Sequence, residues 1–348
     1  MRYQIGMRNF LDTLGKKHPM YLKAINYQSQ LLENIKYVES YGDSENYRST
    51  RNKIIDSINE LALETINKTF NELSNPSPII IEQKSPSFQE RIWREFQEPE
   101  MSFISPEPFI MGSRPPALDA GALEDEQPLH VVNLDAYYIA ITSVTNIQYA
   151  IFTINTGHNP PDFWQNSIPP QAIYNHPVVD VSWEDAIKFC NWLRGLTKEH
   201  YRLPTEAEWE KAARGVNGQI FPWGNEWKDD YANTNEYNRH KTGYKTVAVN
   251  EFPEAKSHYN ILNMAGNVFE WTSSLWGNDN KEPQFLYPYN PKDGREAIDA
   301  PSHILRIIRG GSFSSQKRTA RCAYRDKLSP KKSRKDVGFR LALSKHNS

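Results

Sequence analysis

Apolar residues at intervals of three and four dominate the front of the chain, where Ile54, Ile55, Ile58, Leu61, Ala62, Ile66 and Phe70 share one helical face. Tyr21, Leu22, Ile25, Leu31, Leu32, Ile35 and Val38 keep a looser version of the same period, and Phe10, Leu11 and Leu14 mark a short opening helix. Between the two longer stripes, Tyr41-Gly42-Asp43-Ser44 offers a glycine stop and then Asp or Ser as a cap. The pattern predicts a small helical bundle over residues 1–73. It then dissolves, because Pro76, Pro78, Pro86, Pro99 and Pro106 punctuate a polar stretch in which only Ile79-Ile80-Ile81 suits a strand. Residues 74–105 read as a linker or an arm lying on the next domain. Residues 106–348 read as a loop-rich domain of short strands, so the whole chain is of the α+β class.

Two helix starts in that domain carry capping signals. Ser182 precedes Trp183-Glu184-Asp185 and predicts a helix running to Leu196, with Ala186, Phe189, Cys190 and Leu193 facing inward. Thr205 stands three residues before Glu208, a capping box that predicts a second helix to Arg214. Cys190 is therefore a core residue before it is a reactive one. The chain has only one other cysteine, Cys322, which excludes a disulfide scaffold and any site needing four thiolates. Lys and Arg number 41 against 42 Asp and Glu, so no global field of one sign steers nucleic acid or lipid. No window is apolar enough for a membrane span and the first residues lack a secretory signal's apolar core, which predicts a cytoplasmic protein without membrane contact.

Eight blocks then appear in a fixed order: FIMGS from Phe109, VTNIQY from Val144, PVVDVSW from Pro177, RLPTEAEWEKAARG from Arg202, FPWGNEW from Phe221, NMAGNVFEW from Asn263, RGGSF from Arg309 and GFRLAL from Gly338. With them the chain resembles the formylglycine-generating enzyme, or sulfatase-modifying factor, family from about Phe109 to Leu343. The resemblance implies a C-type-lectin-like fold. It also implies calcium, a hard cation that takes oxygen ligands, held by the Asn263 and Glu270 side chains and the Gly266 and Val268 carbonyls. A weaker second calcium site would use Asn233 and the Thr234 carbonyl, but Thr242-Gly243-Tyr244 stands where an acid should follow. The alternative for Glu270 is an ion pair with arginine, and Arg309 and Arg340 are expected to pair with acids such as Glu208 or Glu270.

Active members of the family bind copper(I) through two cysteines shortly after the RGGS block, soft ligands for a soft ion. Here that segment reads Ser314-Ser315-Gln316-Lys317-Arg318 and holds no cysteine at the first such position, while Cys322 aligns with an apolar one. No copper, iron or zinc is expected. Phosphate-loop, zinc-protease and serine-elbow motifs are absent from the sequence. What fills the segment is charge, since Gln316 to Arg340 carries ten basic residues against Asp326 and Asp336. Ser314, Ser315, Gln316, Lys317, Arg318, Arg321, Lys331, Lys332, Arg334 and Lys335 are the expected partner surface, suited to an acidic protein or another anionic ligand. Nucleic acid is the less supported ligand, because only Phe313 and Tyr324 stand nearby for stacking. The closing segment also resembles that of cysteine-lacking relatives that act as variable ligand-binding proteins.

Together these features predict a non-catalytic binding module, with residues 1–73 engaging a protein partner; that helical segment loosely resembles the effector-associated adaptor domains of bacterial conflict systems. The alternative is an enzyme of the family whose oxidative or hydrolytic chemistry does not use the usual cysteine pair.

Overall fold

The computed structural model describes residues 2–15, 18–41, 44–67, 70, 73, 98–164, 168–238 and 245–344. The chain divides into two compact units, Met1–Ser85 and Pro86–Ser348. The predicted Ile79-Ile80-Ile81 strand, and residues 74–97 of the expected linker, lie outside the described residues.

In the first unit, α1 (Arg2–Leu14), α2 (Tyr21–Tyr41) and α3 (Glu45–Ile66) follow the apolar stripes. Met7, Phe10 and Leu14 of α1 meet Ala24 and Leu31 of α2 and Ile58, Leu61 and Ala62 of α3 in one core. Ser44 takes the extended N-cap conformation of α3 without a side-chain capping bond, and Asn67 closes the helix in the left-handed region. Asn side chains then fasten the following residues: the Phe70 N–H donates to Asn59 Oδ1 at 2.7 Å, and Asn9 Nδ2 donates to the Leu73 carbonyl at 2.8 Å.

The second unit begins its regular structure earlier than proline spacing suggested. Met101–Ile104 forms β1, antiparallel to β4 (Tyr137–Ala140). Pro99 and Pro106 bracket this edge strand without interrupting it, and Ile104 is fully buried. A short ribbon pairs β2 (Phe109–Met111) with β3 (His130–Val132). The remaining strands are β5 (Tyr201–Arg202), β6 (Phe269–Gly277), β7 (Leu305–Arg309), β8 (Arg325–Leu328), β9 (Val337–Phe339) and β10 (Ala342–Ser344). One four-stranded sheet has the order β1-β4-β10-β5, and the other β8-β7-β6-β9, with β6 and β9 parallel.

Three helices pack among these sheets, and each starts on a capping box. Thr145 with Gln148 opens α4 (Asn146–Thr156), Ser182 with Asp185 opens α5 (Trp183–Thr197), and Thr205 with Glu208 opens α6 (Glu206–Arg214). A one-turn helix, α7 (Asn235–Asn238), follows. Every residue of α6 is buried although five of its nine are charged, so each charge must find a partner inside. Glu206 accepts from Arg325 and Arg309, while Glu210 accepts from Arg214, Arg309 and the Gly112 N–H. Arg309 therefore pairs with Glu206 and Glu210; Glu208, the expected partner, instead pairs with Arg202 at 2.6 Å. Arg340 does pair with Glu270, as expected.

Candidate functional site

The site is built where β7 runs out into Gly310-Gly311. Both glycines have positive φ, of 96° and 73°, and a Cβ on Gly311 would lie 2.8 Å from the Thr319 carbonyl. Only glycine allows this corner. The turn seats on the NMAGN loop through Gly266 N–H to Gly310 O at 2.8 Å and Phe313 N–H to Asn267 O at 2.9 Å.

Beyond the corner, at the segment where the resemblance locates copper-binding thiols, lies a knot of hydroxyls. Ser312 and Ser314 Oγ donate to the same Asp336 oxygen at 2.9 and 3.0 Å, and the Ser312 N–H donates to Ser315 Oγ at 2.9 Å. Arg334 donates to both Asp336 oxygens, at 2.9 and 3.0 Å, lies 3.6 Å from Asp326 and stacks 5.1 Å over the Phe269 ring. Burial pushes the Asp336 carboxyl up, but its bonds to Arg334, Ser312 and Ser314 prevail and hold it below the usual carboxylate range. The carboxylate is thus committed to organising the loop.

Neither cysteine reaches this place. Cys190 packs in the core under α5, with Phe189, Leu193 and Phe339, while Cys322 packs in a separate cluster with Trp209, Ile261 and Met264. Burial pushes both thiols up to about 12, so neither supplies thiolate near neutral pH.

The expected partner surface divides in two. Lys317, Arg318, Lys331, Lys332 and Lys335 are exposed, as are Ser314 and Gln316. Arg321, by contrast, is buried and binds both oxygens of buried Glu126 at 2.6 and 2.7 Å, and Ser315 is also buried. Arg334 serves Asp336. Arg325 and Arg340 likewise answer internal acids, so four of the ten basic residues in the run are structural. A charge count could not show this, because the partners of Arg321, Arg325 and Arg340 lie far away in sequence. Sequence reasoning also missed Trp223 and Trp227. They are partly exposed, 5.6 Å apart between ring centroids, and packed against the small cluster of Ala232, Ala265 and Ala320, the last of which closes the Lys317–Ala320 turn. The FPWGNEW block was the available signal.

Of the calcium residues expected at 263–270, the one carboxylate, Glu270, is already committed to internal donors. Glu270 is fully buried and its two oxygens already accept four donors. Ser143 Oγ at 2.6 Å and Arg340 Nη2 at 2.9 Å reach one; Trp209 Nε1 at 2.7 Å and Arg340 Nε at 2.5 Å reach the other. A guanidinium thus already neutralises the carboxylate, and a metal would have to displace it. Asn263 Nδ2 donates to the Val249 carbonyl at 2.5 Å, Gly266 lies against Asn233, and Val268 is buried. Among the described residues, no three His, Cys, Asp or Glu side chains converge in a group that could hold a metal.

Capped helices among small sheets, with a double-glycine corner docked on an asparagine loop, define a sulfatase-modifying-factor type of domain, here with hydroxyls at the family's thiol segment. A family model described as the sulfatase-modifying factor enzyme 1-like domain matches residues 88–345, and the chain belongs to that family. It is 35% identical over 181 residues to the formylglycine-generating enzyme of Mus musculus, covering 48% of this chain and 44% of that one. It is 32% identical over 196 residues to the inactive C-alpha-formylglycine-generating enzyme 2 of Bos taurus, covering 52% of this chain and 56% of that one. The fold is similar to the structure of PvdO from Pseudomonas aeruginosa, with a TM-score of 0.58, 28% identity, and coverage of 71% of this chain and 95% of that one. The alignments thus span about half the length of the mouse and bovine proteins. Among the described residues, no helix is long and apolar enough to cross a membrane.

Proposed function

We propose that this chain is a non-catalytic recognition protein whose second unit binds an acidic polypeptide through the turns that follow the glycine corner and precede β9. One observation carries the reading: the segment that needs thiols for copper chemistry is a serine–aspartate knot flanked in sequence by exposed Lys317, Arg318, Lys331, Lys332 and Lys335, while both cysteines are sealed in cores. Trp223 and Trp227, packed against the cluster that includes Ala320 of the Lys317–Ala320 turn, add apolar contact area. Similarity to a relative named as inactive supports the same reading. The helical unit supplies the link to a second protein, a role suited to exposed apolar side chains such as Leu22, which is 80% exposed, and Leu63.

The test is fluorescence anisotropy of a labelled poly-glutamate peptide against the full chain. Reversing Lys331, Lys332 and Lys335 to Glu weakens binding on the order of tenfold, and raising the salt from low to physiological strength weakens the parent protein similarly. Affinity within twofold of the parent in the triple variant overturns the reading.

A further inference from the structure

The two oxygens that the resemblance nominates for the second calcium ion, Asn233 Oδ1 and the Thr234 carbonyl, are not waiting for a cation. Both accept from the side-chain amide of Asn238, the Thr234 carbonyl at 3.0 Å. Asn233, Thr234 and Asn238 are buried, and the remaining Asn233 amide hydrogens go to the Lys245 carbonyl at 2.9 Å and to Asn267 Oδ1 at 3.0 Å. Asn267 in turn accepts from the Val247 N–H at 3.0 Å, so the asparagines lock together the loops on either side. Among the described residues no carboxylate joins them: Glu236 of the same short helix turns to the Lys317 N–H, and the sequence of residues 239–244 is Arg-His-Lys-Thr-Gly-Tyr. Among the described residues, a dication here would meet only neutral oxygens, a weak prospect for a hard cation.

We infer that the Asn238 amide stands in for calcium at this place, and that the domain holds its asparagine loops together by hydrogen bonds alone. The geometry permits one amide orientation without a cation. With nitrogen inward, two buried acceptors are satisfied and Asn238 Oδ1 is left without a donor, as observed. With oxygen inward, three oxygens would converge and repel unless a cation joined them. The inference is independent of the proposed partner surface, since it concerns what holds the loops and not what they bind.

Differential scanning fluorimetry of the full chain, in millimolar calcium or in chelator, separates the two orientations. The parent protein melts at the same temperature in both. Asn238→Ala strands two buried acceptors and lowers the midpoint by roughly 3–8 °C, with or without calcium. Asn238→Asp places a carboxylate against the same two oxygens; it melts low in chelator and recovers several degrees when calcium is added. A calcium-dependent midpoint in the parent, or stoichiometric calcium uptake by it in calorimetry, shows oxygen inward and overturns the inference. So does an Asn238→Asp protein indifferent to calcium.

Discussion

Replacing Glu270 with Ala is the sharpest structural perturbation available, because its carboxylate is the hub of four hydrogen bonds at zero exposure. The change leaves the Arg340 guanidinium buried without a counter-charge, although its contacts to the Ala140 and Leu262 carbonyls at 2.8 and 2.9 Å remain. Breaking one side of such a pair costs about 3–5 kcal/mol. The Trp209 indole N–H and the Ser143 hydroxyl lose acceptors as well, so the upper end applies. In a domain of this size, 1 kcal/mol moves the melting temperature by roughly 2–4 °C, which places the loss at about 10–20 °C. Scanning calorimetry of parent and variant, each with calcium and with chelator, reads it directly. The drop is the same in both buffers, because a guanidinium and not a metal neutralises the carboxylate. A companion Glu270→Leu, Arg340→Met double variant recovers part of the loss by removing both charges together. A drop below 2 °C, or one that disappears in chelator, refutes the reasoning.

Two further outcomes follow from packing and protonation. Gly338→Ala sets a Cβ hard against the Val178 carbonyl, where the backbones of two segments meet, and lowers the urea midpoint by the equivalent of about 1–3 kcal/mol; an unchanged midpoint contradicts the close approach. Burial lowers the folded-state pKa of His130 and His176 below the ordinary value, so the unfolded chain binds more protons than the folded one as pH falls through that interval. Stability therefore declines on acidification below about pH 6.5. The His130→Gln variant, in which Tyr289 N–H keeps an acceptor but nothing titrates, shows a shallower decline in melting temperature from pH 7.5 to 5.5. An identical slope in parent and variant removes His130 from the account.

Local signals in the sequence carried much of the fold. Ser182 and Thr205 announced their helices because a capping box is written within four residues, and the stripe from Ile54 to Phe70 announced α3 because its period is local. Long-range pairing was less legible. Arg309 could be seen to need an acid, yet Glu206, Glu208 and Glu210 are equivalent in composition. Only the rotation of α6 decides that Glu206 and Glu210 face Arg309 while Glu208 turns back to its own N-terminus and Arg202. For the same reason Arg321 counted as surface charge until Glu126, 195 residues away, was brought against it. The strand at Met101–Ile104 hid between prolines that mark its ends.

At the site, the absence of cysteine after the RGGS block was legible at once, but what replaced it was not. Asp336 stands 24 positions after Ser312 and 22 after Ser314, and nothing local links it to them. The structure joins them into one knot.

The central claim is that the surface after the glycine corner has exchanged soft-metal chemistry for recognition, and copper(I) is the probe that meets it most directly. Titration of the reduced full chain with copper(I), in competition with a chromophoric chelator, measures whether any thiolate pair is available. With Cys190 and Cys322 buried in separate cores and their thiols pushed up to about 12, the account predicts no stoichiometric uptake and no difference between the parent protein and Cys322→Ser. One tightly held equivalent of copper in the parent, lost in Cys322→Ser, would contradict it.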